Sequence, residues 1–215
     1  MKINADFDQR VIVRFDDTDW VPSPMPGVDR KMLDRIGGEV ARATSIVRYA
    51  PGSAFSAHTH DGGEEYLVLD GTFCDEHGAF PEGHYVRNPP TSSHTPSAPD
   101  GATILVKLHQ MAPDDRTGVT LDTATDTASE QTLFSDDRET VRMARLGPGD
   151  THAIDASGGA EIFVLRGEVH ENGDSLTRWD WLRLPMGTTT NLTAGTEGAV
   201  LWIKTGHLCH ITTPG

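Results

Sequence analysis

The chain has 215 residues, an ordinary apolar share of 36% and a formal net charge of −14. That size suits one large domain or two small ones, and the acidic balance argues against nucleic acid or an anionic membrane as a partner. No run of about 18 apolar residues occurs, the first ten residues lack the apolar core of a signal peptide, and the two cysteines, Cys74 and Cys209, form no CxxC pair, so a cytoplasmic location is expected.

In chain order, the segment 27–38, "GVDRKMLDRIGG", is the first ambiguous one. Val28, Met32, Leu33 and Ile36 fit a helical period, whereas the bordering glycines suit a strand or hairpin. Short runs rich in Val, Ile, Leu and aromatics follow at 44–50, 65–73, 103–110, 161–169 and 199–206, each bounded by Gly, Pro or Asp. They are too short for typical helices and read as strands of an all-β sandwich or barrel. Pro113–Glu130 is rich in Thr, Asp and Ala and reads as a linker, and "SEQTLFSDD" (129–137) reads as a short helix capped by Ser129. "GHLCH" (206–210) reads as a frayed terminus.

The chain also repeats itself. "RYAPG" (48–52) resembles "RLGPG" (145–149), and "GGEEYLVLDG" (62–71) resembles "GGAEIFVLRG" (158–167). "YVRNPP" (85–90) and "DGATILVKL" (100–108) return as "WLRLPM" (181–186) and "EGAVLWIKT" (197–205). Matches in the same order at nearly constant offset imply a duplicated β-domain. The expected organisation is a first domain over 1–113 with an N-terminal arm, a linker over 114–136 and a second domain over 137–215.

Chemistry concentrates in the first repeat. Gly52, His58, His60, Glu64 and Gly71 fit the template G-x5-H-x-H-x3-E-x6-G, and His94 lies thirty residues after Glu64. Histidines at i and i+2 on a strand share a face, a tight "DGG" turn can return Glu64 opposite them, and a further strand can bring His94 in. Three imidazoles and a carboxylate suit a divalent transition metal, with zinc or iron ahead of manganese or nickel. Glu65 competes with Glu64, but alternation puts the two on opposite faces. At the repeat offset Glu65 falls on Glu161 and Glu64 on Ala160, so the shared acid reads as structural and the unshared one as functional. His58, His60 and His94 fall on Ile154, Ala156 and Thr190 or Asn191, so the second repeat is expected to hold no metal. Arg87 and Lys107, which recur as Arg183 and Lys204, read as structural. Phe55, Tyr66 and Val68 are candidate cavity residues, and Cys74 joins Glu64's face if the strand continues regularly through Gly71.

The template is that of the cupin superfamily, which these residues resemble. With "EEYLVLDGTF", "DEHGAFPEGHYVRNPPTSSHTP", "ATILVKL" and the upstream Asp19, Trp20 and Pro24–Val28, residues 18–110 look like the cupin domain of ChrR-type anti-sigma factors. The resemblance implies a double-stranded β-helix jelly roll, here as two tandem cupins, with one metal per chain on His58, His60, Glu64 and His94. It also implies a regulatory or stress-sensing role. No HxxxCxxC motif of the kind through which such proteins hold a sigma factor occurs in these 215 residues, so direct sigma-factor binding is not expected. The alternative is a non-haem metal-dependent dioxygenase that cleaves a carbon–carbon bond of a small diketone or hydroxyketone. A small-molecule ligand at the metal and a homodimer through edge strands are the expected partners.

Overall fold

The computed structural model describes residues 1–214, and the fold is all-β as expected, with one short 3-10 helix at His207–His210. Contacts divide the chain into two compact units. The first comprises Met1–Ala5, Asp19–Ala124 and the residues from Thr212; the second comprises Asp6–Thr18 and Thr125–Ile211.

In the first unit, antiparallel strands follow the order Lys2–Ile3, Val28–Gly37, Ala41–Tyr49, Ala102–Leu108, Glu64–Asp75, His84–Asn88 and Val119–Asp122. A separate two-stranded ladder pairs His58–His60 with Ser92–His94. The core beneath includes Val47, Tyr66, Phe73, Ile104 and Val106, all buried. In the second unit the order is Glu130–Ser135, Thr140–Leu146, Thr188–Thr205, Ala160–Glu171, Trp181–Leu184 and Val11–Val13, over a core that includes Ile162, Val164, Leu182 and Leu201. All five of the apolar runs expected to be strands are strands.

The ambiguous segment 27–38 is the strand Val28–Gly37, and its helix-like spacing has a local cause. The register with Ala41–Tyr49 slips between Met32 and Asp34, so Leu33 is the extra residue of a bulge and the two-residue alternation restarts there. The expected helix at 129–137 is instead the strand Glu130–Ser135, whose pairing with Thr140–Leu146 buries Leu133 and Phe134. Within the stretch read as linker, Val119–Asp122 pairs with His84–Asn88. The expected frayed terminus is folded down: His207 and Leu208 are buried, His207 Nε2 lies 2.8 Å from Glu161 Oε1, and the Leu208 amide donates to the Gly158 carbonyl.

The residues shared by the two repeats occupy matching ladder positions. Glu65 stands opposite Arg87 on one side and Lys107 on the other. Glu161 stands likewise between Arg183 and Lys204. All six are buried. Tyr85 Oη donates to Glu65 Oε1 at 2.8 Å, and at the matching place Trp181 Nε1 donates to Glu161 Oε2 at 3.1 Å. Lys107 Nζ donates to Thr44 Oγ1, and Lys204 Nζ to Glu139 Oε1. Buried charges survive folding only with such partners, so these groups belong to the scaffold.

Candidate metal centre

The ladder of His58–His60 with Ser92–His94 sets the histidine geometry. His94 pairs directly with His58, and His60 stands two residues along on the same face. The three rings meet edge to face with centroids 4.8–5.0 Å apart. One nitrogen from each lies within 4.8 Å of the others, and His60 Nε2 is 3.0 Å from His94 Nε2. Glu64 enters from the neighbouring strand. Its Oε2 lies 3.3 Å from His60 Nε2 and 3.6 Å from His94 Nε2. Thus all four residues singled out in the sequence converge. Glu65 points away, toward Tyr85, as alternation requires.

Neighbouring groups aim these side chains. Asp75 Oδ2 accepts from His94 Nδ1 at 3.1 Å, and the Ser56 carbonyl accepts from His58 Nδ1 at 3.1 Å, which turns each Nε2 toward the cluster. Asn88 Nδ2 donates to Glu64 Oε2 at 3.1 Å. Imidazoles anchored through one nitrogen by a carboxylate or a carbonyl are the usual arrangement around a bound metal.

Burial drives the electrostatics. Desolvation, reinforced by His58 and His109, lowers His60 to about 4, so its imidazole is neutral at pH 7. Its approach to Glu64 is therefore a contact of a neutral ring with a carboxyl group, not an ion pair. Burial pushes the Glu64 carboxyl above its ordinary range, against the pull of His94 and Asn88. A neutral imidazole at His60 beside a carboxyl group whose ionised form burial opposes fits a divalent cation, which needs deprotonated ligands and offsets the desolvated negative charge.

The cluster forms part of the wall of a cavity of about 340 Å³. Val28, Val47, Tyr49, Phe55, Phe73 and Val106 supply its apolar surface. Phe55 thus lines it as expected, while Tyr66 and Val68 pack in the core. Cys74 does not line it, because the strand is not regular: the register with Ala102–Leu108 slips at Leu69. That bulge exchanges the two faces, so Phe73 reaches the cavity and Asp75 reaches His94. Asp75, Asn88, Arg30 and His109 were not foreseen as site residues. For Asp75 the only signal is its place at the end of Glu64's strand; Arg30, on the cavity wall, and His109 carry none in local sequence.

The all-β fold is that of a jelly-roll barrel, with a histidine cluster on the wall of a largely apolar cavity. The family model described as the ChrR cupin-like domain matches residues 8–112. Among solved structures, a candidate dioxygenase from Nostoc punctiforme superposes with a TM-score of 0.76 at 13% identity, over 97% of this chain and 87% of that one. The Escherichia coli pirin YhhW in complex with nickel(II) gives 0.72 at 13% identity, over 92% and 99%. A single-residue variant of oxalate decarboxylase from Bacillus subtilis gives 0.60 at 14% identity, over 91% and 76%. No curated protein sequence matches significantly. The family match and the shared fold support the cupin superfamily and a cupin jelly roll. No helix among the described residues is long and apolar enough to cross a membrane.

Proposed function

We propose that His58, His60, Glu64 and His94 hold one divalent transition metal per chain, and that the protein acts through it on a small oxygenated organic molecule bound in the adjacent cavity. The observation that carries this reading is the convergence of three imidazoles and one buried carboxylate on the wall of a cavity with apolar sides. Iron, manganese or nickel favours five or six ligands, so four protein donors would leave room for dioxygen or a chelating substrate. Such a metal would supply Lewis-acid or oxygen-activating chemistry. The chain's own residues do the positioning. Asp75 and Ser56 fix the imidazoles, Asn88 orients Glu64, and Tyr49, Phe55 and Phe73 exclude water. The candidate dioxygenase and the oxalate decarboxylase variant among the structural neighbours, and the nickel held by another, are consistent with this chemistry.

We infer further that the second unit is a duplicated cupin without metal, because Ile154, Ala156 and Ala160 stand where the first unit has His58, His60 and Glu64. The matching Glu–Arg–Lys ladders support the duplication. A second reading, a regulatory or stress-sensing module with zinc, is favoured by the ChrR match over residues 8–112.

Three measurements test these readings. Elemental analysis of untagged protein purified without added metal should find one transition metal per chain; none, or two, refutes the assignment. The ferrous protein should consume oxygen with a small diketone or hydroxyketone, and His60→Ala should abolish that uptake. Stoichiometric metal release by peroxide, without turnover, supports the sensor instead.

A further inference from the structure

Two features of the cavity are left over once the metal cluster is accounted for. The first is Arg30, on the strand Val28–Gly37. It lines the cavity, its Nε is buried without a hydrogen-bond partner, and it makes no ion pair among the described residues. Glu39 also lines the cavity, but it lies by Arg35, whose guanidinium donates to the Gly38 and Glu39 carbonyls and feels the Glu39 charge. Arg30 is thus a cation without an internal counter-charge, and a partly buried donor lacking a partner is costly.

The second is His109, on the same cavity wall and close enough to act electrostatically on His60. Its backbone is left-handed, with φ 55°. Such a backbone conformation costs a non-glycine residue on the order of 1 kcal/mol or more. The second unit uses glycine at the matching place: the His109 amide donates to the Gly63 carbonyl, as the Gly206 amide donates to the Gly159 carbonyl, and Gly206 has φ 92°. The neighbouring bonds match too, Met111 to Gly62 and Leu208 to Gly158. A glycine therefore satisfies the same turn without strain, and a histidine is retained only in the unit that has the metal cluster. Its ring packs closely against Gly62, where an added Cβ would fall 2.2 Å from His109 Nδ1.

We propose that Arg30 and His109 form the recognition site for an anionic oxygen group, a carboxylate or enolate, on the small molecule that enters this cavity. The inference rests on the metal-cupin reading above and specifies its substrate class. A guanidinium offers paired donors that match a carboxylate, and an imidazole adds one further polar contact. Apolar walls hold the remainder of the molecule, as in most small-ligand sites.

Cobalt(II)-loaded protein tests it, with oxalate as the anionic probe and oxamide as a neutral dicarbonyl of similar size. Binding is read by calorimetry and by the visible cobalt spectrum. Arg30→Met should weaken oxalate by about tenfold or more while leaving oxamide affinity and cobalt content unchanged. His109→Gly should weaken oxalate too, without lowering the thermal midpoint of the metal-free protein, since glycine relieves the strain. Failure of the wild type to load cobalt would refute the metal reading itself. With cobalt bound, the absence of oxalate binding, equal affinity in Arg30→Met, or loss of both probes together would overturn the anion site. A lowered midpoint with undiminished affinity in His109→Gly would return His109 to a structural role.

Discussion

Replacing Glu64 and Glu65 singly by Gln separates the site from its scaffold. The two residues are adjacent on one strand and both are buried, 5% and 3% exposed. Glu65 accepts a 2.8 Å hydrogen bond from Tyr85 and stands between Arg87 and Lys107. A hydrogen bond to a charged group contributes about 1.5–3 kcal/mol. Glu65→Gln is therefore expected to cost about 2 kcal/mol, a thermal midpoint lower by roughly 4–8 °C in a chain of this length. Its metal content should stay at one per chain. Glu64 is a carboxylate whose ionised form burial opposes. Glu64→Gln removes that penalty, so the metal-free variant should be at least as stable as the wild type. It also removes the one anionic donor. Metal affinity should then fall by more than the roughly 10–100-fold that the outer partners of a metal site typically supply. The assay is metal content after dialysis against a weak chelator, alongside thermal unfolding of the metal-free proteins. Equal metal loss in both variants, or loss confined to Glu65→Gln, would refute the division between the two acids.

Asp75→Asn leaves a weaker acceptor for His94 Nδ1 and should reduce metal affinity by roughly 10–100-fold with little change in the fold; unchanged affinity would show that Asp75 does not aim the ring. Gly62→Ala places a Cβ 2.7 Å from the His109 Cα, a backbone atom that cannot yield, so a loss of about 1–3 kcal/mol is expected by chemical denaturation, together with weaker metal binding. Acidification tests His60, which desolvation chiefly lowers to about 4 from 6.5. Because the unfolded chain takes up this proton first, the stability associated with the neutral ring is complete above pH 6.5. It is lost as the pH falls toward 4, by about 3 kcal/mol. The unfolding free energy of metal-free wild type minus that of His60→Asn should show this loss between those limits, and a flat difference would contradict it.

Much of the site was legible because its constraints are local. Two residues per strand repeat, and a tight turn, bring His58, His60 and Glu64 to one face whatever the rest of the chain does. His94 follows from one more strand. What escaped depends on register. The bulge at Leu69 has no compositional mark, yet it moves Phe73 and Asp75 to the face that regular alternation assigns to Cys74. The bulge at Leu33 imitates a helical period in the same way. The 129–137 segment offers Ser129 as a helix cap, but pairing with Thr140–Leu146 and burial of Leu133 and Phe134 override that local signal.

The comparison between repeats reaches further than either repeat alone, for a physical reason. A buried Glu flanked in the ladder by Arg and Lys must be kept intact, since losing one member leaves the others buried without compensation. Both units keep it, as Glu65 with Arg87 and Lys107 and as Glu161 with Arg183 and Lys204. Metal ligands carry no such obligation, because without the cation a cluster of desolvated imidazoles and a carboxylate is a liability. Apolar Ile154, Ala156 and Ala160 are the less costly occupants wherever no ion binds. The same reasoning covers the left-handed position that follows Ala102–Leu108 in the first unit and Thr188–Thr205 in the second. Glycine is the unstrained choice there, at Gly206, so a histidine at 109 has to be offset by something the histidine does.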